Sequence, residues 1–118
     1  MIEHGLGCLP FEEDNRDYKF KDLISCVGQY PEEYIPVLHS ARLNQGLTSM
    51  CTAFALATSR YMFELHDSNN NKMFSPGYIY GNRDMFDYKG EGMMIRQALK
   101  TLQKYGVCYL TSFNKIGY

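Results

Sequence analysis

From residue 51 onward the apolar positions fall into three blocks separated by polar or glycine-containing breaks. Cys51-Thr52-Ala53-Phe54-Ala55-Leu56-Ala57-Thr58-Ser59-Arg60-Tyr61-Met62-Phe63-Glu64-Leu65 opens with turns that are apolar nearly all round. That pattern predicts a buried helix. Thr48 and Ser49 stand where a side-chain oxygen caps a first turn, and the polar cluster Asp67-Ser68-Asn69-Asn70-Asn71 ends it. Ser75-Pro76 predicts a second helix, serine at the N-cap and proline at the first helical position, running to about Met85. Met94, Ile95, Ala98, Leu99, Leu102 and Tyr105 recur at helical spacing and predict a third. Gly106 is placed to end it in a left-handed cap. Val107-Cys108-Tyr109-Leu110 reads as a short strand.

The first 44 residues behave differently. Leu9-Pro10, Gly28, Pro31 and Pro36 interrupt any period. A short extended piece is expected at Tyr34–Leu38, and Asp14-Asn15-Arg16-Asp17-Tyr18 reads as a polar turn. The expected organisation is an irregular N-terminal arm, 1–44, followed by a helical lobe, 45–118. No internal repeat appears.

Composition narrows the class. The chain has 118 residues, 45% hydrophobic and 21% charged, with a net charge of −1. That is enough apolar material for one small core, and too little charge for a disordered polyelectrolyte. No basic face of the kind nucleic-acid binding needs is present; Lys100 and Lys104 sit near the end of the third helix, where cations complement the helix dipole. Cys8, Cys26, Cys51 and Cys108 share no short spacing, so no zinc site is expected. Glu12-Glu13-Asp14 reads as a solvated charge run rather than a metal site. No cofactor is expected. No signal peptide and no membrane-spanning run is visible, which predicts free thiols, a reducing compartment and a cytoplasmic location without membrane attachment.

The chemistry centres on Gln45-Gly46-Leu47-Thr48-Ser49-Met50-Cys51. A cysteine in the first turn of a helix faces unpaired N–H groups and the positive end of the dipole, which favour a thiolate. Gln45, six residues upstream across a glycine turn, can fold back toward the sulfur. A side-chain amide and a backbone N–H make one recipe for an oxyanion hole. Nucleophile and oxyanion donors define an acyl-transfer site that still needs a base. The competing reading is a plain core cysteine, since free cysteine is among the most buried residue types.

The ordered series of motifs resembles the papain-like, cathepsin-type cysteine peptidases. Gln45, Gly46, Cys51, Ala53, Phe54 and Ala55 match the family's nucleophile signature with the Gln-to-Cys spacing intact. Asn15-Arg16-Asp17-Tyr18 is similar to the Arg-Asp-Tyr that opens many bacterial members, and Tyr30-Pro31 to the Leu-Pro that begins the mature domain. Ser75-Pro76-Gly77-Tyr78-Ile79-Tyr80 resembles the family's second helix, and Ile95 through Cys108 its third with the following Gly-Val-Cys. The resemblance implies an α-rich α+β fold, the helical lobe of the papain-like fold without the β-barrel lobe. It implies Cys51 as nucleophile, Gln45 in the oxyanion hole, and Gly90, Glu91 and Gly92 as the stretch that binds substrate backbone.

This chain departs from the family pattern in several places. Ser49-Met50 replaces Gly-Ser, which puts a bulky Met50 beside the nucleophile, where it is expected to alter the cleft. Thr52 replaces the aromatic residue after the cysteine, and Thr48 replaces an upstream half-cystine. The family's histidine and asparagine lie about 130–150 residues beyond the cysteine, a distance these 118 residues do not reach. His66 is on the same helix, roughly 22 Å along at ~1.5 Å per residue, far beyond the ~3 Å a base needs. His39 and His4 are the remaining histidines. The expected function is therefore half of a papain-like peptidase, acting on peptide or protein and inactive alone, with its base supplied by a missing C-terminal half. The alternative is a non-catalytic binding or inhibitory module that engages another protein or forms a homodimer.

Overall fold

The computed structural model describes residues 5–11, 13–19, 32–35, 43–83 and 90–112. Three helices follow in order: α1 Cys51–Ser68, α2 Pro76–Gly81 and α3 Ile95–Tyr105. All three pack on one another. Among the described residues there is no strand longer than an isolated bridge. Tyr34 and Ile35 of the expected extended piece are exposed and form no strand, and its remaining residues 36–38 lie outside the described chain, as do Met85, Tyr30-Pro31, His4 and His39.

Helix α1 is the core element. Ala53, Ala57 and Tyr61 are wholly buried, with Thr52 and Phe54 nearly so. Small side chains here let neighbouring segments approach closely, while Tyr61 fills the middle and donates its hydroxyl to Asn71 Oδ1 at 2.5 Å. The expected caps do not form. Met50 holds the N-cap position with no side-chain bond. Thr48 Oγ1 is donated to Gln45 O instead, and Ser49 Oγ to Glu91 Oε2. The C-terminus follows the polar cluster: Asn69 turns left-handed, its N–H bonds Leu65 O at 3.1 Å, and Asn70 N–H bonds Glu64 O at 3.3 Å.

Helix α2 starts as expected, with the Ser75 hydroxyl accepting from Tyr78 N–H and Pro76 at the first position. It ends at Gly81, short of the expected Met85. Asn82 leaves helical geometry, and its side chain reaches back to Tyr78 O. Helix α3 matches its predicted span, but only Ala98 of its apolar stripe is buried; Ile95, Leu99 and Tyr105 are each about half exposed. Gly106 ends α3 with φ 70 and ψ −158, not the expected left-handed pair, in a region open essentially to glycine alone. The expected strand at 107–110 is a single antiparallel bridge, Phe74 to Tyr109. It is flanked by Ser75 N–H to Cys108 O and Leu110 N–H to Met73 O, both at 2.9 Å. The Phe74 and Tyr109 rings stack at 5.1 Å between centroids.

Part of the N-terminal arm docks on α3. Asp14 to Asp17 make the expected turn, with Asp17 N–H bonding Asp14 O at 3.0 Å. Arg96 forks onto both carboxylate oxygens of Asp17 and lies over the Phe11 ring. The Arg96 hydrogen bonds hold the Asp17 carboxyl below its ordinary range. A carboxyl lowered in the folded state stabilises above its unfolded value of about 3.9, and that contribution fades as pH falls through the lower folded value. The arm is therefore expected to stay docked near neutral pH and loosen in acid below about pH 4. In an NMR titration the Arg96 side-chain resonance should move with Asp17 protonation. Asp17→Asn should show the undocked position already at pH 7; an Arg96 resonance that ignores both would refute the link.

Candidate active site

The site is assembled where the loop before α1 meets the loop before α3. Cys51 is the first residue of α1 and is partly exposed. Met50 beside it is 1% exposed, part of the core. The expectation that Met50 intrudes on the cleft is therefore corrected: its long unbranched side chain fills interior space, as methionine does readily. Gly90, Glu91 and Gly92 come against the same loop, with Ser49 Oγ donating to Glu91 Oε2 at 2.6 Å. A hydrogen bond thus ties the Gly90–Gly92 stretch to the loop before α1.

The glycine stretch is held from behind by α2. Gly92 N–H donates to the Tyr80 hydroxyl at 2.9 Å. The Arg83 guanidinium lies 4.0 Å from the centre of the Tyr80 ring and donates to Gly90 O at 2.7 Å and Gly92 O at 3.1 Å. Thr52, in the first turn of α1, reaches Met93 O at 3.4 Å. These fixed points present Met93 as a short backbone edge.

That edge is occupied by the chain's own N-terminal segment. Met93 N–H donates to Gly7 O at 2.8 Å and Leu9 N–H donates to Met93 O at 3.0 Å, a parallel bridge centred on Cys8. Gly5 N–H bonds Gly46 O at 3.1 Å. The Gln45 carboxamide is turned to this segment: Nε2 donates to Gly5 O at 2.7 Å and to Thr48 O at 2.9 Å. The fit is close. A Cβ at Gly5 would stand 2.2 Å from Thr48 O, and one at Gly7 2.0 Å from Ser49 O.

Sequence reasoning thus singled out Cys51, Gln45 and Gly90–Gly92, and missed Tyr80, Arg83, Ser49, Met93 and the Gly5–Leu9 segment. The alternating glycines of Gly5-Leu6-Gly7 were the available signal for the last. His66 sits at the far end of α1, 78% exposed in its side chain and paired with Asp67. Among the described residues no three His, Cys, Asp or Glu side chains cluster as metal ligands, and no helix is long and apolar enough to cross a membrane. Two surface hollows of about 450 and 560 Å³ lie elsewhere, beside Phe74 and Leu102 and beside Met62 and Phe63. Neither is lined by Cys51 or Gln45.

The three packed helices fit the α-rich lobe of the papain-like cysteine peptidase fold, and the comparisons that follow are with cysteine peptidases. It superposes on xylellain, a cysteine protease from Xylella fastidiosa, with a TM-score of 0.72 and 29% identity, over 91% of this chain and 41% of that one. It is 36% identical over 73 residues to an uncharacterized peptidase C1-like protein of Acanthamoeba polyphaga mimivirus, which covers 58% of this chain and 23% of that protein. The chain therefore spans less than half the length of either relative. No family sequence profile matches it.

Proposed function

We propose that this chain carries the nucleophile wall of a papain-type cysteine peptidase. Cys51 supplies the thiolate that attacks a peptide carbonyl. The Cys51 N–H and Gln45 are the oxyanion donors, and Gly90 to Gly92 shape the edge that takes substrate backbone. The single observation behind this reading is the position of Cys51: first turn of a buried helix, in a lobe with the papain-like fold, opposite a glycine stretch tied to the loop before it.

In this reading the 118-residue polypeptide is inactive by itself and takes its base from another chain; His66, the one histidine among the described residues, stands at the opposite end of α1, whereas proton transfer needs a base within about 3 Å. Two results are expected. The chain hydrolyses a fluorogenic dipeptide only at background rate. Iodoacetamide alkylates Cys51 faster than Cys108 and faster than the more exposed Cys8. Turnover that Cys51→Ala abolishes would refute the inactivity. Cys51 reacting no faster than Cys8 would refute the nucleophile and favour a binding module that meets a protein partner through α3, where Ile95, Leu99 and Tyr105 are half exposed.

A further inference from the structure

One of the two surface hollows is assembled from three parts of the fold, and neither Cys51 nor Gln45 lines it. Its most buried lining residue is Phe74, 6% exposed, with the Tyr109 ring stacked on it. Leu99 and Leu102 of α3 line one side, and Val107 lines it just beyond the end of that helix. Among the described residues two polar side chains reach the lining, Arg60 of α1 and Gln103 of α3. The volume of about 450 Å³ lies in the range of small-molecule sites. So does the make-up, since such sites have apolar walls and a few polar groups that fix orientation.

The charge on that lining has one sign. The Arg60 guanidinium carbon lies 5.9 Å from the centre of the Phe74 ring, which puts the cation at the edge of the apolar surface. Its Nη2 pairs with Glu64, one turn along α1, at 2.5 Å, and Glu64 does not line the hollow. Its Nε and Nη1 have no hydrogen-bond partner among the described residues. A guanidinium spreads five N–H donors over a planar fork, so it can take a second carboxylate while keeping the first.

We infer that this hollow binds an apolar monocarboxylate, in chemical class a medium-chain fatty acid, with its chain on Phe74, Leu99 and Leu102 and its carboxylate on Arg60. The apolar walls favour a hydrocarbon chain, because every CH₂ they cover is removed from water. A single guanidinium matches a single negative charge. Among the described residues no second cation lines the hollow to hold a phosphate or a polyanion, and a cationic ligand would be repelled. The assignment does not rest on Cys51 being a nucleophile.

The test uses the full chain with ¹³C-labelled methyl groups, titrated near neutral pH with octanoate. Octanol controls for the charge and acetate for the chain. Octanoate should move the methyl resonances of Leu99, Leu102 and Val107 along one saturable curve, octanol should do so more weakly, and acetate should not move them. Arg60→Gln should weaken octanoate by at least about threefold and leave octanol unchanged. Glu64→Gln removes the competing anion and should tighten octanoate by a similar factor. The Arg60 side chain is 49% exposed, so the fold should survive its exchange, which helical circular dichroism checks. Should either charge variant fail to fold, Leu99→Ala on the half-exposed rim decides instead, by weakening octanoate and octanol together. Cys51→Ala should change nothing.

Methyl resonances that ignore octanoate would overturn the proposal. So would octanol binding as tightly as octanoate with neither sensitive to Arg60→Gln, which would mean a hollow that recognises no anion. Binding of acetyl-leucyl-leucine where octanoate does not bind would make the site a peptide acceptor and sink the fatty-acid assignment. Loss of octanoate binding in Cys51→Ala would place the ligand elsewhere and do the same.

Discussion

Tyr61→Ala is expected to destabilise the lobe by about 3–5 kcal/mol, the largest effect of any single change considered. Tyr61 is fully buried at the centre of α1, among the side chains that join this helix to α2 and α3. Truncation deletes an aromatic ring from a close-packed interior and leaves a cavity that the surrounding helices fill only in part. It also removes the hydroxyl that bonds Asn71 at 2.5 Å, the contact that fastens the end of α1 to the loop before α2. Since small domains are stable by only about 5–15 kcal/mol, the loss is a large share of the total. Tyr61→Phe isolates the hydroxyl and should cost about 1–2 kcal/mol. Urea unfolding followed by helical circular dichroism measures both. A Tyr61→Ala midpoint within error of Tyr61→Phe would mean that the ring is not packed as described.

Gly92→Ala is expected to combine a local cost of about 1–3 kcal/mol with release of the N-terminal segment. Its φ is 97, a conformation L residues rarely adopt, so alanine is strained there whatever the space. The space is also absent: an added Cβ would lie 2.7 Å from Gly7 O and 3.3 Å from the Leu9 side chain. Either the Gly90–Gly92 stretch leaves its hydrogen bond to Tyr80, or residues 7 to 9 leave Met93. The second costs fewer buried contacts, because Leu9 is only partly buried and Cys8 is exposed. Hydrogen exchange should accelerate at Met93 and Leu9 by at least about tenfold while the Ala53–Tyr61 amides keep their protection. Unchanged exchange at Leu9 would show that the segment is not held against Gly92.

The three helices were legible because each has a local cause. Ser75-Pro76 satisfies the start of α2 with its own atoms, Asn69 accepts the left-handed turn that ends α1, and the 3.6 period runs cleanly through α3. Local signals misled where a distant partner competed for the same group. Ser49 reads as a cap, yet Glu91, 42 residues away, takes its hydroxyl. Residues 107–110 have strand composition, yet only Tyr109 finds a bridging partner. The apolar stripe of α3 was readable, but how little of it the described residues cover was not.

By itself the sequence determined that three helices form, where the second begins, the buried Ala-rich face of α1, and the placement of a cysteine at its first position with a glutamine six residues upstream. These follow from periodicity, capping chemistry and spacing, which act within a few residues. Only the tertiary structure decided that Met50 turns inward, that Tyr80 and Arg83 fix the glycine stretch, and that Gln45 bonds a segment 40 residues upstream. Hydrogen bonds between residues far apart in the chain leave no period to read; which donor meets which carbonyl is settled when the backbone packs and each buried polar group must find a partner.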